Sequence, residues 1–438
     1  MHIAIQTIFF LLITAVYPFN VAVAGNWEWG SRISLNANWS DNPALADDNR
    51  DPDSTFRMLA SYSGQFERLS PSNNFRIEPR ITRDYYPDEE FKKLESTDIF
   101  LPGGYRHTRR RTAWNLGYNL SRQNVLSDET TVSEDDGTNR LNADDLVYRA
   151  SLSPSMNWQV SERDQLLIGL SANATKFDKD FTNRSDTVGT SISATYTRQL
   201  TERQSFGFTG FIVSSEAERL NLVIQNPFVC NSNIAIETCI IATDSDNTSF
   251  TLDYGYNISP TSRISIKGGF QGTETTTSGT VEATGEQVKL DPFKFESTTY
   301  DIGYNKITER GDFNITASRR VQPNTNGQPQ DRYDLRFIGD TKLSEKLNFD
   351  WNFFIWQQQA IALRAISEEV DEEIKRKTLF FSGTLQLNWA LTRKWRLSGR
   401  YRYRQRDRDA DINSDEQNKA TSNQLYFGVS YIWKQIQR

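Results

Sequence analysis

From Trp27 onward apolar side chains recur at every second residue, in runs such as Leu347, Phe349, Trp351, Phe353, Ile355 and Leu379, Phe381, Gly383, Leu385, Leu387, Trp389, Leu391. A two-residue period places alternate side chains on opposite faces of a β-strand. The positions between them, for example Ser382, Thr384, Gln386 and Asn388, are polar, so each strand has one oily and one wet face. Many of the runs exceed the roughly 5–6 residues usual for soluble strands and reach the roughly 9–11 that a tilted strand needs to cross a bilayer. With hydrophobic residues at 37%, a bundle of membrane helices is excluded, because each would need roughly 20 consecutive apolar residues. Aromatics at 12% exclude a disordered chain, which is poor in them.

The connections alternate in length. Short ones rich in Ser, Thr and charge fall at 161–164 (SERD), 201–204 (TERQ), 259–263 (SPTSR), 308–312 (TERGD), 343–346 (LSEK) and 391–394 (LTRK), a composition suited to tight turns. Long polar ones fall at 41–54, 87–95, 124–146, 217–246, 275–293, 360–375 and 407–421. This is the pattern of an outer-membrane barrel with small periplasmic turns and larger outer loops. Strands are predicted at 27–40, 55–68, 74–86, 96–107, 111–123, 147–159, 164–176, 186–199, 204–216, 247–258, 262–274, 294–306, 311–321, 331–343, 346–359, 376–391, 393–406 and 422–434. The predicted fold is thus an all-β transmembrane antiparallel up-and-down barrel of about eighteen strands, with sixteen as the alternative count. The strand at 96–107 is inferred from the alternation of short turn and long loop alone. Pro79, Pro102 and Pro154 lie inside predicted strands, where bulges are expected because a closed barrel has no edge to take a missing N–H.

Residues 3–17 are apolar and Ala22-Val23-Ala24 precede Gly25, so residues 1–24 read as a signal peptide, although no Lys or Arg precedes the apolar stretch, and 25–438 as the barrel. Trp27, Trp29, Trp114, Trp158, Trp389, Trp395 and Trp433 fall near the short-turn ends of predicted strands, the place of an interfacial aromatic belt.

The residues offer little for catalysis. Two histidines and two cysteines in 438 residues leave His107 as the one candidate base of the mature chain, and it sits among Arg109, Arg110 and Arg111 at a predicted turn. No glycine-rich phosphate loop, CxxC or HExxH occurs, so no enzyme activity, cofactor or metal is expected, and no nucleic-acid partner, since basic residues are dispersed. Asp407, Asp409 and Asp411 begin like a calcium loop, but Ile412 and Asn418 stand where Gly and Glu are needed. Cys230 and Cys239 share one predicted outer loop and, in an oxidising compartment, are predicted to form a local disulfide.

The distinctive charge pattern is Arg396, Arg400, Arg402, Arg404 and Arg406 on one face of a strand whose other face carries Trp395, Leu397, Tyr401 and Tyr403. With the aromatic face toward lipid, these arginines, together with Arg76, Arg80 and Arg320, are expected to face the lumen and favour anions. The alternative is that they brace the interior by pairing with Glu78, Asp334, Asp340 and Asp350. The long loops are acidic, as at Asp47, Asp48, Asp51, Asp53 and at Glu368, Glu369, Asp371, Glu372, Glu373. These carboxylates either share divalent cations with lipopolysaccharide phosphates or are simply solvated.

Three stretches, LSRQNVLSDETTVSEDDG at 120–137, SRRVQPNTNGQPQDRYDLRFIGDTKLSEKLNF at 318–349 and WRLSGRYRYRQRDRD at 395–409, resemble outer-membrane β-barrel porins associated with exopolysaccharide and exosortase (PEP-CTERM-type) systems. The resemblance runs from about residue 100 to the C-terminus and rests on hairpin style rather than on an invariant motif. It implies a Gram-negative outer-membrane location, outer-membrane lipids, lipopolysaccharide and the barrel-insertion machinery as partners, and passage or anchoring of a surface polysaccharide. It carries no catalytic residues. The chain departs from the usual terminal aromatic residue of such barrels, since Trp433 is followed by KQIQR. The expected function is a pore for an anionic surface polysaccharide, the alternative being a non-conducting structural or docking barrel.

Overall fold

The computed structural model describes residues 26–42, 54–124, 146–178, 185–222, 238–281, 287–289, 292–323, 329–362, 374–408 and 418–434. The predicted signal peptide, Cys230 and the aspartates at 409 and 411 lie outside them. Eighteen barrel strands follow in chain order: β1 Asn26–Ser40, β2 Thr55–Leu69, β3 in two parts, Asn73–Ile77 and Arg80–Tyr85, β4 Thr97–Thr108, β5 Thr112–Asn124, β6 Leu146–Gln159, β7 Asp164–Phe177, β8 Asp186–Gln199, β9 Gln204–Leu222, β10 Thr238–Ser259, β11 Ser262–Val281, β12 Phe293–Thr308, β13 Gly311–Pro323, β14 Pro329–Lys342, β15 Leu347–Ala362, β16 Ile374–Ala390, β17 Trp395–Arg408 and β18 Asn418–Lys434. Each pairs antiparallel with its sequence neighbours, and β1 pairs with β18, Ile33 opposite Tyr431. Closure removes every sheet edge, so the backbone groups of the wall find partners within it, which a bilayer requires.

All eighteen predicted strands are present, including β4, which only the alternation of connections had indicated. Two predicted loops are shorter than expected. β9, β10 and β11 run 19, 22 and 20 residues, so the ladder continues to Leu222 and resumes at Thr238 within the predicted loop 217–246, and it reaches Val281 within the predicted loop 275–293. Polar Ser/Thr/Asp/Glu alternation there concealed strand beyond the apolar belt.

The short turns owe their form to a hydroxyl at their first position. Ser161 Oγ accepts the N–H groups of Arg163 and Asp164 at 3.1 Å each and donates to Asp164 Oδ2 at 2.6 Å. Thr201 does the same for Arg203 and Gln204 at 3.2 and 3.0 Å, and Thr392 for Lys394 and Trp395 at 3.2 and 3.0 Å. The recurring Ser/Thr-x-basic motif is therefore a self-capped turn. Thr201→Ala is expected to lower stability by about 1 kcal/mol, read as a fall in the urea midpoint with an unchanged slope.

The expected proline bulges are not formed. Ile77 lies opposite Gly103 and Arg80 opposite Phe100, so the register is the same on both sides of Glu78-Pro79. The ladder is interrupted without being shifted: Gly64 N donates to Pro79 O and Glu78 N to Pro102 O, both at 2.9 Å, and neither proline can return the bond. At Pro154 the pairing with β7 likewise skips from Leu152–Ala172 to Ser155–Gly169 in one register. An extra residue would have turned every following side chain to the wrong face.

Side chains of the outward face remain apolar and exposed, with Phe270 and Phe427 at 71% and 66%. Trp27, Trp29, Trp114, Trp158, Trp389, Trp395 and Trp433 are all exposed, at 42–52%, near the short-turn ends of their strands. A solvent-exposed apolar band on a closed barrel is what a lipid-facing wall requires. Where Trp351 and Tyr118 cross the neighbouring strand they lie on Gly339 and Gly103, whose missing Cβ leaves room for the rings.

Candidate site in the barrel interior

Residues of β15–β18 and β1–β5 form three adjoining cavities of about 1040, 600 and 470 Å³. The largest opens at the short-turn end beneath Arg32, Arg76, Arg80, Arg393 and Arg396. The smallest lies deeper, between Arg57, Arg80, Arg400 and Arg402. Charged side chains around the three are Arg32, Arg57, Arg76, Arg80, Lys346, Arg393, Arg396, Arg400 and Arg402 against Glu78, Asp98 and Glu345. Nine cations to three anions within low-dielectric walls give a positive interior.

The arginines singled out by sequence are held differently from one another. Arg396 is exposed at the short-turn rim. Arg76 pairs with Glu78 and Arg320 with Asp334 at 3.2 Å, as bracing would have it. Arg80 and Arg400 make no ion pair among the described residues. Arg80 instead lies over the Phe100 ring at 4.2 Å and Arg400 over the Tyr426 ring at 3.8 Å. Arg402 Nε donates to Thr384 Oγ1 at 3.4 Å, while Arg404 and Arg406 are buried at 5% and 6%. Of the acids named with them, Asp350 accepts from Asn388. Cys239 pairs through its backbone with Asn221 and Val281, and its predicted bond to Cys230 falls outside the described residues.

Toward the long-loop end the interior is filled. Arg332, Phe354, Trp356, Asp84, Asp98, Val147 and Gln424 are all below 2% exposed or at it, and they come from β3, β4, β6, β14, β15 and β18. Arg332 Nε donates to Asp334 Oδ1 at 2.7 Å while its guanidinium lies against Trp356 at 4.9 Å and Phe354 at 5.5 Å. Trp356 stacks on Phe380 at 5.2 Å and 19°, and Phe354, Trp356, Phe380 and Ala420 form one buried cluster. On the other side of the barrel Arg57 approaches Asp84 at 3.8 Å, and Ser96 Oγ bridges Asp84 and Asp98 at 3.4 and 3.2 Å.

The inward aromatics were missed by the reading of one oily and one wet face. A signal was present: Phe353-Phe354-Ile355-Trp356 and Leu379-Phe380-Phe381 break the alternation, so both faces there are apolar. Phe100 and Tyr426 carry the same signal, in Ile99-Phe100-Leu101 and Leu425-Tyr426-Phe427.

Both ring nitrogens of His107 are engaged at the turn. Arg109 Nε donates to its Nε2 at 3.1 Å, so Nδ1 carries the proton and donates to Asn73 Oδ1 at 2.8 Å.

No family model matches the chain, and no curated protein matches it. Similar solved structures include the ferric citrate transporter FecA in its unliganded form, with TM-score 0.48 and 7% identity over 93% of this chain and 79% of that one. OpdQ of Pseudomonas aeruginosa has TM-score 0.44 and 8% identity over 94% and 98% of the two chains. OccAB2 of Acinetobacter baumannii has TM-score 0.44 and 9% identity over 93% and 98%.

Proposed function

We propose that this chain is an outer-membrane channel whose interior admits anionic solutes, and that the solute is a surface polysaccharide or its fragments. The observation that carries the reading is the lining of nine basic residues against three acids around the three cavities. Fixed positive charge in a water-filled passage raises the local concentration of anions and repels cations. The apolar outward band and the tryptophan belt support the membrane location. The polysaccharide is favoured by the resemblance of residues 120–137, 318–349 and 395–409 to barrels of exopolysaccharide systems.

Planar-bilayer recording across a salt gradient tests this. The reversal potential is expected to report anion preference, and Arg400→Ser with Arg402→Ser is expected to move it toward the non-selective value, since both line the 470 Å³ cavity. Unchanged selectivity in that variant would remove these arginines from the role. A second reading, a non-conducting barrel that docks a surface polymer, is favoured by the solvent-excluded side chains at the long-loop end. Electrical silence, with and without dithiothreitol, is its expected signature.

A further inference from the structure

The 470 Å³ cavity is built unlike a mere charged wall. Two of its arginines are backed by rings, Arg80 by Phe100 and Arg400 by Tyr426, and all four residues line it. A guanidinium whose carbon sits over a ring is shielded from water on that side, while its N–H donors lie in the guanidinium plane. A donor array of that shape matches a planar carboxylate, which accepts two parallel N–H bonds. The Nε of Arg57, the Nε of Arg400 and the Oδ1 of Asn38 are buried here with no hydrogen-bond partner. Orphaned buried donors and acceptors are rare and call for a missing partner. Asn36, Thr82, Gln386 and Ser398 complete the lining, supplying amide and hydroxyl groups suited to a polyhydroxylated molecule.

We infer that this cavity is a saturable binding site for a sugar acid, with Arg80 and Arg400 gripping its carboxylate and the amides and hydroxyls its ring oxygens. This deepens the channel reading and rests on it for access to the cavity. It adds a stoichiometric site of stated chemistry where that reading requires only a positive potential.

The test is isothermal titration of the full chain in detergent with glucuronate, glucose and inorganic phosphate as probes. Saturable binding of glucuronate, none of glucose and weaker binding of phosphate are expected. Arg80→Gln and Arg400→Gln are each expected to weaken glucuronate by about tenfold, the worth of one charge-assisted hydrogen-bond set. Their fold is checked by heat-modifiable migration on gels, and Arg80→Lys serves as a second variant that keeps the charge but loses the planar donors. Glucuronate that never saturates, full affinity in the glutamine variants, full affinity in Arg80→Lys, or phosphate bound as tightly as glucuronate would each overturn the site. Binding with a silent bilayer would leave the site and end the channel reading. Anion-selective conductance without saturable binding would do the reverse.

Discussion

Replacing Asp334 with alanine is expected to destabilise the barrel by about 3–5 kcal/mol, the usual result of stripping one partner from a buried ion pair. Arg332 is 0% exposed, and Asp334 Oδ1 accepts from its Nε at 2.7 Å. The two rings beside it, Trp356 and Phe354, attract the cation but cannot replace the carboxylate as acceptor. Without the carboxylate the charge stays buried with less to offset its lost hydration. Arg320, also paired with Asp334, has about half of its side chain in solvent (47%), so its loss of a partner costs little. The measurement is urea unfolding followed by tryptophan fluorescence. Arg332→Met with Asp334→Leu should recover most of the loss, because a well-packed apolar pair is often as stable as the ion pair it replaces. A single Asp334→Ala within 1 kcal/mol of the parent would show that the pair is already solvated.

Trp356→Ala should have the second large effect, about 3–5 kcal/mol for emptying a fully buried ring site. It should also change function. Trp356, at 1% exposure, packs with Phe354, Phe380 and Ala420 in the filled long-loop half of the interior, so removing the indole, together with Phe380→Ala, widens that end. Single-channel conductance is expected to rise in the double variant. Trp356→Phe is the control: the indole Nε1 has no hydrogen-bond partner, so phenylalanine forfeits no bond and keeps the stack on Phe380, and conductance should stay near that of the parent. Equal conductance in the alanine and phenylalanine variants would mean that the constriction lies elsewhere.

Much of this fold is local in origin. The period of two that marks Leu347–Ile355 as strand is a property of neighbouring residues, and so is the hydroxyl-capped turn at Ser161, Thr201 and Thr392. Even β4, weak in itself, follows from the rule that short and long connections alternate. The prolines misled because sequence reports the missing N–H but not how neighbouring strands tolerate it: Gly64 and Glu78 still donate to the carbonyls of Pro79 and Pro102. The polar ends of β9–β11 were read as loop because strand beyond the apolar belt has no oily face to betray it.

The sequence by itself pointed to a closed antiparallel barrel of about eighteen strands, since strand number and direction follow from alternation and from the lengths of connections. Only the tertiary structure decided which inward side chains meet. Arg57 and Asp98 share a cavity with Arg400 and Tyr426 because β1 pairs with β18, bringing Ser40 within 3.3 Å of Ser422 and Asp41 within 2.7 Å of Asn423. The relative stagger of strands around a closed barrel sets these encounters, and stagger is a property of the whole ring of strands that no local pattern encodes.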